Sequence, residues 1–301
     1  MLIKQWYLKK SELSDKLMLN KRIGGVFMKK FKIGVIQLDS QDNKEENLRF
    51  IEKLITEAVE QGCKVVAMPE NSNYVGLEAA KFAEEIPGGE TFKLLSELAK
   101  NNKIWIHSGS IYETRGESVP YNTSFIVNPE GELVTKYNKV HPFDVKIKDG
   151  PDVRESDRIQ RGENIVTVDT KEFGVWGLSI CYDMRFPELY RLMTLEGANI
   201  LFVPADFTMN TGKDHWEVLL RARAIENGCY VVAPGQIGIK PRFQAYGKSI
   251  IIDPWGNVIS KASDIPCLIT AQIDLDYVEK IRNQIGTLSN RRTDLYSITK
   301  L

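Results

Sequence analysis

Histidine is scarce in this sequence. Only His107, His141 and His215 occur in 301 residues, and no HExxH pair or Cys/His cluster joins them. A structural zinc site has too few ligands at usable spacing. Cysteine is sparse as well. Cys63, Cys181, Cys229 and Cys267 lie far apart with no CxxC pair, and unpaired thiols of this kind suit a reducing compartment such as the cytoplasm. Charge of one sign is missing too. Forty basic residues balance forty acidic ones, interspersed without long like-charged runs, so no net field favours nucleic acid or an anionic membrane. No stretch approaches the roughly 18 apolar residues needed to span a bilayer.

What is present is ordinary for a globular enzyme, with 43% hydrophobic and 27% charged residues. The length permits one α/β domain of about 250–300 residues. Residues 1–27 lack the apolar core and small-residue cleavage site of a secretory signal. Gly24-Gly25 stands just before Met28, and a codon pair for Gly-Gly can read as a ribosome-binding site. The expectation is therefore a non-native or disordered extension at 1–27, and a single domain over 28–301.

From Phe31 onward, strands and helices alternate. FKIGVIQLD reads as a buried strand. The next segment places Leu48, Ile51, Leu54, Ile55 and Ala58 on one helical face, closed by Gly62. KVVAMPE is a strand ending at Glu70, a helix is expected near 90–101, and KIWIHSGSI (103–111) is another strand. NTSFIVNPEGELVTKYNK (122–139) and GKSIIIDPWGNVISKAS (247–263) are both hairpins. This repetition suggests two similar sheet layers rather than one open sheet. The irregular stretch 140–163 is long enough to be functional.

Chemistry concentrates in FGVWGLSICYDMRFPELYRL (173–192). An apolar strand ends at Cys181, and Pro187 can open the following helix. A thiol at such a turn is exposed to peptide N–H groups and a helix N-terminus, which favour a thiolate and can bind an oxyanion. A buried core cysteine is the competing reading, and it is the better one for Cys63, Cys229 and Cys267. A nucleophilic cysteine needs a base. None of the three histidines sits in a protease-like signature, whereas Glu70 and Lys139 both fall at strand ends, where α/β proteins build their sites. Taken singly, each would pass for a solvated surface charge.

Taken together, MPE (68–70), YNKVHPFD (137–144) and GLSICYDMRFPE (177–188), in that order, resemble the nitrilase superfamily of carbon–nitrogen hydrolases, over about Phe31 to Tyr296. The resemblance implies a four-layer α-β-β-α sandwich and association into a homodimer or larger homo-oligomer. It implies Cys181 as nucleophile, Glu70 as general base and acid, and Lys139 with the Tyr182 backbone N–H as oxyanion donors, with no metal or organic cofactor required. Glu155, in RESDRIQRGE, matches the family's second glutamate and would orient Lys139 or the substrate amide.

CYDMRFPE, the segment 204–234 and RRTDLY (291–296) are similar to the omega-amidase and deaminated-glutathione amidase branch. The implied substrate is a small amide bearing a carboxylate, cleaved to acid and ammonia through a thioester. Arg185 is then a candidate reader of the carboxylate, with an ion pair to Glu188 or Asp183 as its alternative. Phe207 and Thr211 match positions lining the acyl pocket. Tyr74 is the candidate for an aromatic that the branch places after its first glutamate, in a loop whose length differs here. His215 and Trp216 are expected to pack, and Arg221, Arg223 and Glu226 to form structural salt bridges. The alternatives are a nitrile or N-carbamoyl hydrolase of the same superfamily, a catalytically idle binding homologue and, most remotely, a papain-like protease.

Overall fold

The computed structural model describes residues 30–116, 119–146 and 152–300. The extension expected at 1–27 lies outside them, as do residues 147–151 of the long loop.

The first strand, Lys30–Gln37, shows how the layers arise. Side chains alternate across a strand, so Phe31, Ile33 and Val35 face one apolar cluster while Ile36 faces another. Both faces of this strand are therefore covered. Helix α1 (Lys44–Glu60) and helix α2 (Glu90–Asn102) pack on the Ile36 side. Helix α1 buries the expected Leu48, Ile51, Leu54, Ile55 and Ala58. The Asn43 side chain accepts from the Glu46 N–H at 3.2 Å, and Glu45 and Glu46 lie at the positive end of the helix dipole.

The first sheet runs in the order Cys267–Asp274, Lys30–Gln37, Val65–Ala67, Trp105–His107, Tyr121–Val127. Ile111–Glu113 continues along the same edge of Tyr121–Val127 that Trp105–His107 occupies, and Leu133–Asn138 pairs with the other edge. The second sheet runs Thr167–Asp169, Val175–Leu178, Ile200–Phe202, Tyr230–Ala233, Ile250–Ile252, Val258–Lys261. The order of strand directions is the same in both, although the edge strand Cys267–Asp274 comes last in the chain whereas Thr167–Asp169 comes just before its parallel neighbours. An antiparallel edge strand precedes three parallel strands, and an antiparallel hairpin follows. Each of the two hairpins read from sequence carries one register shift, at Ile126/Val127 and at Ile251/Ile252.

The sheets meet through aromatic rings. Phe31 and Phe173 lie 4.5 Å apart between centroids, and Trp105 meets Trp176 edge-on at 5.6 Å. Helices α3 (Pro187–Leu195), α4 (Met209–Asn227) and α5 (Leu275–Gln284) add Leu189, Tyr190, Met193, Trp216, Leu220 and Val278 to the cluster that Phe31, Ile33 and Val35 face. The result is the four-layer α-β-β-α sandwich that the motifs imply. No described helix is long and apolar enough to cross a membrane.

Two local readings are corrected. The run 103–111 is not one strand, because it breaks after His107 where Gly109 turns at φ 71°. A Cβ there would come within 1.9 Å of the Pro69 carbonyl oxygen, so the turn passes against the Glu70 segment only as glycine. Cys63 and Cys229 are buried as expected, but Cys267, at a strand start, is only half-buried.

His107 is sealed between the sheets, stacked on Phe202 at 4.6 Å, and its Nδ1 accepts the Gly109 N–H. Burial pushes its pKa from 6.5 down to about 3. The unfolded chain takes up this proton near pH 6.5, whereas the folded chain does not until about pH 3. Stability is therefore complete above pH 6.5 and falls as pH drops toward 3, by up to about 1.4 kcal/mol per pH unit. A His107→Gln variant should flatten the dependence of urea midpoint on pH between 6.5 and 5. An unchanged slope would show that His107 is not the group responsible.

Candidate active site

Each candidate side chain leaves the end of an element. Val65–Ala67 runs through Met68 and Pro69 into Glu70, and Asn71 then turns the chain at φ 54°. Lys139 follows strand Leu133–Asn138, with its backbone N–H bound to the Asn122 carbonyl at 2.9 Å. In the long loop, strands Asp144–Lys146 and Asp152–Arg154 pair, and a single 3-10 turn then presents Glu155. Strand Val175–Leu178 leads to Cys181, which adopts φ 48° at the start of the 3-10 turn Cys181–Arg185. For a residue with a Cβ, such a left-handed turn costs about 1–3 kcal/mol and persists only when its surroundings fix it. Here the Cys181 N–H binds the Pro204 carbonyl at 2.8 Å, and buried Arg223 holds the Met184 carbonyl at 3.0 Å.

The structure brings Glu70, Lys139, Glu155 and Cys181 together. The Lys139 ammonium lies 2.8 Å from Glu70 Oε1, and 3.0 and 2.8 Å from the two oxygens of Glu155. Glu70 Oε1 also accepts from Asn122 Nδ2 at 2.9 Å, and Oε2 accepts the Asp206 N–H at 2.7 Å. The Cys181 thiol sits within the electrostatic influence of both Glu70 and Lys139. All of this is nearly closed to solvent, with Glu70 3%, Lys139 1% and Cys181 7% exposed.

The electrostatics follow from burial plus neighbours. Burial alone would lower Lys139, but the charges of Glu155 and Glu70 hold it well above its usual range. Burial and the Glu70 charge raise Glu155, with Lys139 opposing. Cys181 is pushed well above the ordinary thiol range by burial first and Glu70 second, against the pull of Lys139. The pull towards a thiolate expected of the turn is therefore outweighed, and the thiol is held protonated. Helix α3 starts only at Pro187, so its dipole does not act directly on the sulfur. The 3-10 turn begins instead with the Asp183 N–H to Ile180 carbonyl bond. Tyr182 precedes the donors of that turn, so its N–H is not used within it.

The other expected residues divide. Arg185 is half-buried, 5.4 Å from the Phe207 ring and 5.8 Å from the Tyr182 ring. Among the described residues it makes no ion pair, to Glu188, Asp183 or any other carboxylate; it lies 3.3 Å from His215 Nδ1. Phe207 is buried against Trp216 at 5.3 Å, and Thr211 bonds to Thr208 in the first turn of α4. His215, expected to pack, is exposed on that helix, while Trp216 is buried as expected. Tyr74 joins none of the hydrogen bonds of the cluster. It stacks on Phe82 at 4.1 Å, with its hydroxyl folded over Gly76. Arg223 pairs with Glu226 at 3.0 Å, as the structural reading expected, whereas Arg221 binds the Gly256 carbonyl.

Sequence reasoning missed four members of the surroundings. Asn122 and Asp206 hold Glu70 from two sides. Burial, offset by Lys240 and reinforced by Glu70, raises the Asp206 carboxyl to about 7. Tyr112 lies within the field of Glu155 and Glu70, which adds to burial in raising its phenol above the ordinary range. Asp183 lies fully buried inside the 3-10 turn that Cys181 opens. The usable signal was polarity out of place. Asn122, Thr123 and Ser124 interrupt an otherwise apolar strand, and Asp206 ends the run LFVPAD.

An amide, nitrile or related carbon–nitrogen bond is what a thiol, a carboxylate and a buried ammonium at one point can attack, and the comparisons agree. The carbon–nitrogen hydrolase family matches residues 32–283. The chain is 42% identical over 269 residues to the deaminated glutathione amidase of Synechocystis, covering 88% of this chain and 99% of that protein. It is 38% identical to omega-amidase NIT2 of Mus musculus, covering 90% and 98%. Among solved structures, the NitFhit protein of C. elegans superposes with a TM-score of 0.84 at 37% identity, over 91% of this chain and 68% of that one. Nit3 of Saccharomyces cerevisiae, a member of the nitrilase superfamily, does so with a TM-score of 0.81 at 32% identity, over 90% and 100%. The chain belongs to the carbon–nitrogen hydrolase family, within the nitrilase superfamily.

Proposed function

We propose that the protein is an amidase that hydrolyses a small carboxylate-bearing amide to acid and ammonia through a thioester on Cys181. The observation that carries this reading is the buried Lys139 ammonium, bound by Glu70 and Glu155 at 2.8–3.0 Å beside the Cys181 turn. The names of the similar amidases support the substrate class.

Glu70 takes the thiol proton as sulfur attacks the amide carbon, so no free thiolate need accumulate beforehand. The C=O electron pair moves onto oxygen, and Lys139 and the Tyr182 N–H receive that oxyanion. Glu70 returns its proton to the departing nitrogen, the C–N bond breaks, and ammonia leaves. Water then attacks the thioester, with Glu70 taking a proton that passes to the Cys181 sulfur as acid is released. Glu155 keeps the ammonium aimed while its own charge is balanced. Arg185, without a carboxylate partner among the described residues, reads the carboxylate of the substrate, flanked by Phe207 and Thr211. The reading extends to a homodimer or larger homo-oligomer working in the cytoplasm, supported by four free thiols.

Ammonia release should be measured with succinamate, α-ketoglutaramate and deaminated glutathione, beside aliphatic nitriles and N-carbamoyl amino acids. Turnover is expected with the carboxylate-bearing amides. Turnover of nitriles or carbamoyl compounds alone would overturn the proposal. Within the same assay, Arg185→Ala should raise KM about 10–100-fold for a carboxylate-bearing amide, from the loss of a charge-assisted pair. It should leave an uncharged amide such as butyramide within about threefold. Equal losses on both would remove Arg185 from carboxylate recognition.

A further inference from the structure

One carboxylate outside the reacting group ties the two halves of the site together. Asp183 is fully buried and stands two residues past Cys181. Its Oδ1 accepts the His141 backbone N–H at 3.1 Å and faces His141 Nδ1 at 2.7 Å. Its Oδ2 accepts the Ile180 N–H at 2.8 Å and the Tyr137 hydroxyl at 2.7 Å. Tyr137 and His141 flank Lys139 on either side, and Ile180 immediately precedes Cys181. The side chain therefore grips the lysine segment at two points and closes the nucleophile turn on itself.

We propose that Asp183 is a positioning residue that sets the placement of the Cys181 thiol relative to the Lys139 ammonium, an inference that rests on the roles assigned to those two residues above. All four contacts can be donors to a carboxylate, and His141 Nδ1 carries the proton in that arrangement. Burial and the Asp183 charge hold the Tyr137 phenol well above its usual range, which keeps it a donor. The His141 ring is fixed from its face, stacked on Phe186 at 3.7 Å and 9°. Phe186 in turn donates its N–H to the Asp183 carbonyl at 3.0 Å. Among the described residues, no lysine or arginine pairs with Asp183, and its side-chain partners are His141 and Tyr137. A buried carboxylate is costly unless its oxygens are filled, and here they are filled by segments that carry the site. Asparagine cannot replace it silently, because its NH₂ would face donors.

The test uses the full chain with Asp183→Asn, Tyr137→Phe and the double variant, each checked for folding by circular dichroism and thermal melting. Two readouts are taken per folded molecule, namely kcat and KM on succinamate and the rate at which iodoacetamide alkylates Cys181. The second needs no knowledge of the substrate, so it stands even if wild type leaves succinamate untouched. Asp183→Asn should lower kcat about 100-fold, as a misplacement near 1 Å can, with KM within about threefold and alkylation slowed at least about tenfold. Tyr137→Phe should lower kcat about tenfold, the loss of one hydrogen bond to a charged group. The double variant should be no worse than Asp183→Asn alone, since both act through one carboxylate. A folded Asp183→Asn protein alkylated at the wild-type rate would overturn the proposal. Should that variant not fold, wild-type alkylation and kcat in Tyr137→Phe would overturn it equally.

Discussion

Cys181→Ala should reduce amide turnover by about 10⁵–10⁶-fold while leaving the fold intact. The size follows from the role. Removing a nucleophile abolishes the covalent path outright, and what survives is the weak catalysis of binding and oxyanion donors acting on water. The fold should tolerate the change because alanine can still take the left-handed turn at that position, held by the Cys181 N–H to Pro204 bond and by Arg223 on Met184. The removed sulfur also sheds a thiol that burial and Glu70 hold uncharged. Ammonia release and a thermal melt check both halves. Residual turnover within about 100-fold of wild type would remove Cys181 from the reaction.

Lys139→Met should damage activity and stability together, which sets it apart from Cys181→Ala. The ammonium is the common partner of Glu70 and Glu155 in a buried cluster. Its loss leaves two carboxylates facing each other without a cation, and breaking a buried pair from one side costs about 3–5 kcal/mol. Part of this is recovered if one carboxylate takes a proton, Glu155 being the one already held above its usual range. Recovery should be visible as a smaller stability deficit at pH 5 than at pH 8 in urea unfolding. Independently, loss of one oxyanion donor costs about 2.7–4 kcal/mol of transition-state stabilisation, or roughly 10²–10³ in kcat. A variant as stable as wild type at pH 8 would contradict the ion cluster as described. One with unimpaired kcat would contradict the oxyanion role.

Much of this architecture was legible because it is written in short-range patterns. The face of α1 follows from its spacing of apolar residues, and the two hairpins from their Pro/Gly turns. The likeness of those hairpins pointed to two similar sheet layers, which the structure contains. Glu70, Lys139 and Cys181 could be picked out because each ends a strand and motif order linked them. What failed did so for tertiary reasons. The run 103–111 is broken by the approach of Gly109 to Pro69, which no local periodicity encodes. The thiolate expectation assumed a helix start at the sulfur, whereas a 3-10 turn intervenes before Pro187. Asn122 meets Glu70 across 52 positions of chain, Asp206 meets it across 136, and Asp183 meets Tyr137 across 46. Their types were visible from the sequence, but the groups they would meet were not.

The account stands or falls on a covalent acyl group at Cys181, produced by the carbonyl it shares with Lys139 and the Tyr182 N–H. Intact-protein mass spectrometry of acid-quenched enzyme during turnover of a carboxylate-bearing amide tests this directly. The expected result is a mass gain equal to the acyl fragment, located by peptide mapping on Cys181 and absent from Cys181→Ala. Sustained ammonia release with no such adduct at any quench time, or with the adduct on another residue, would contradict it.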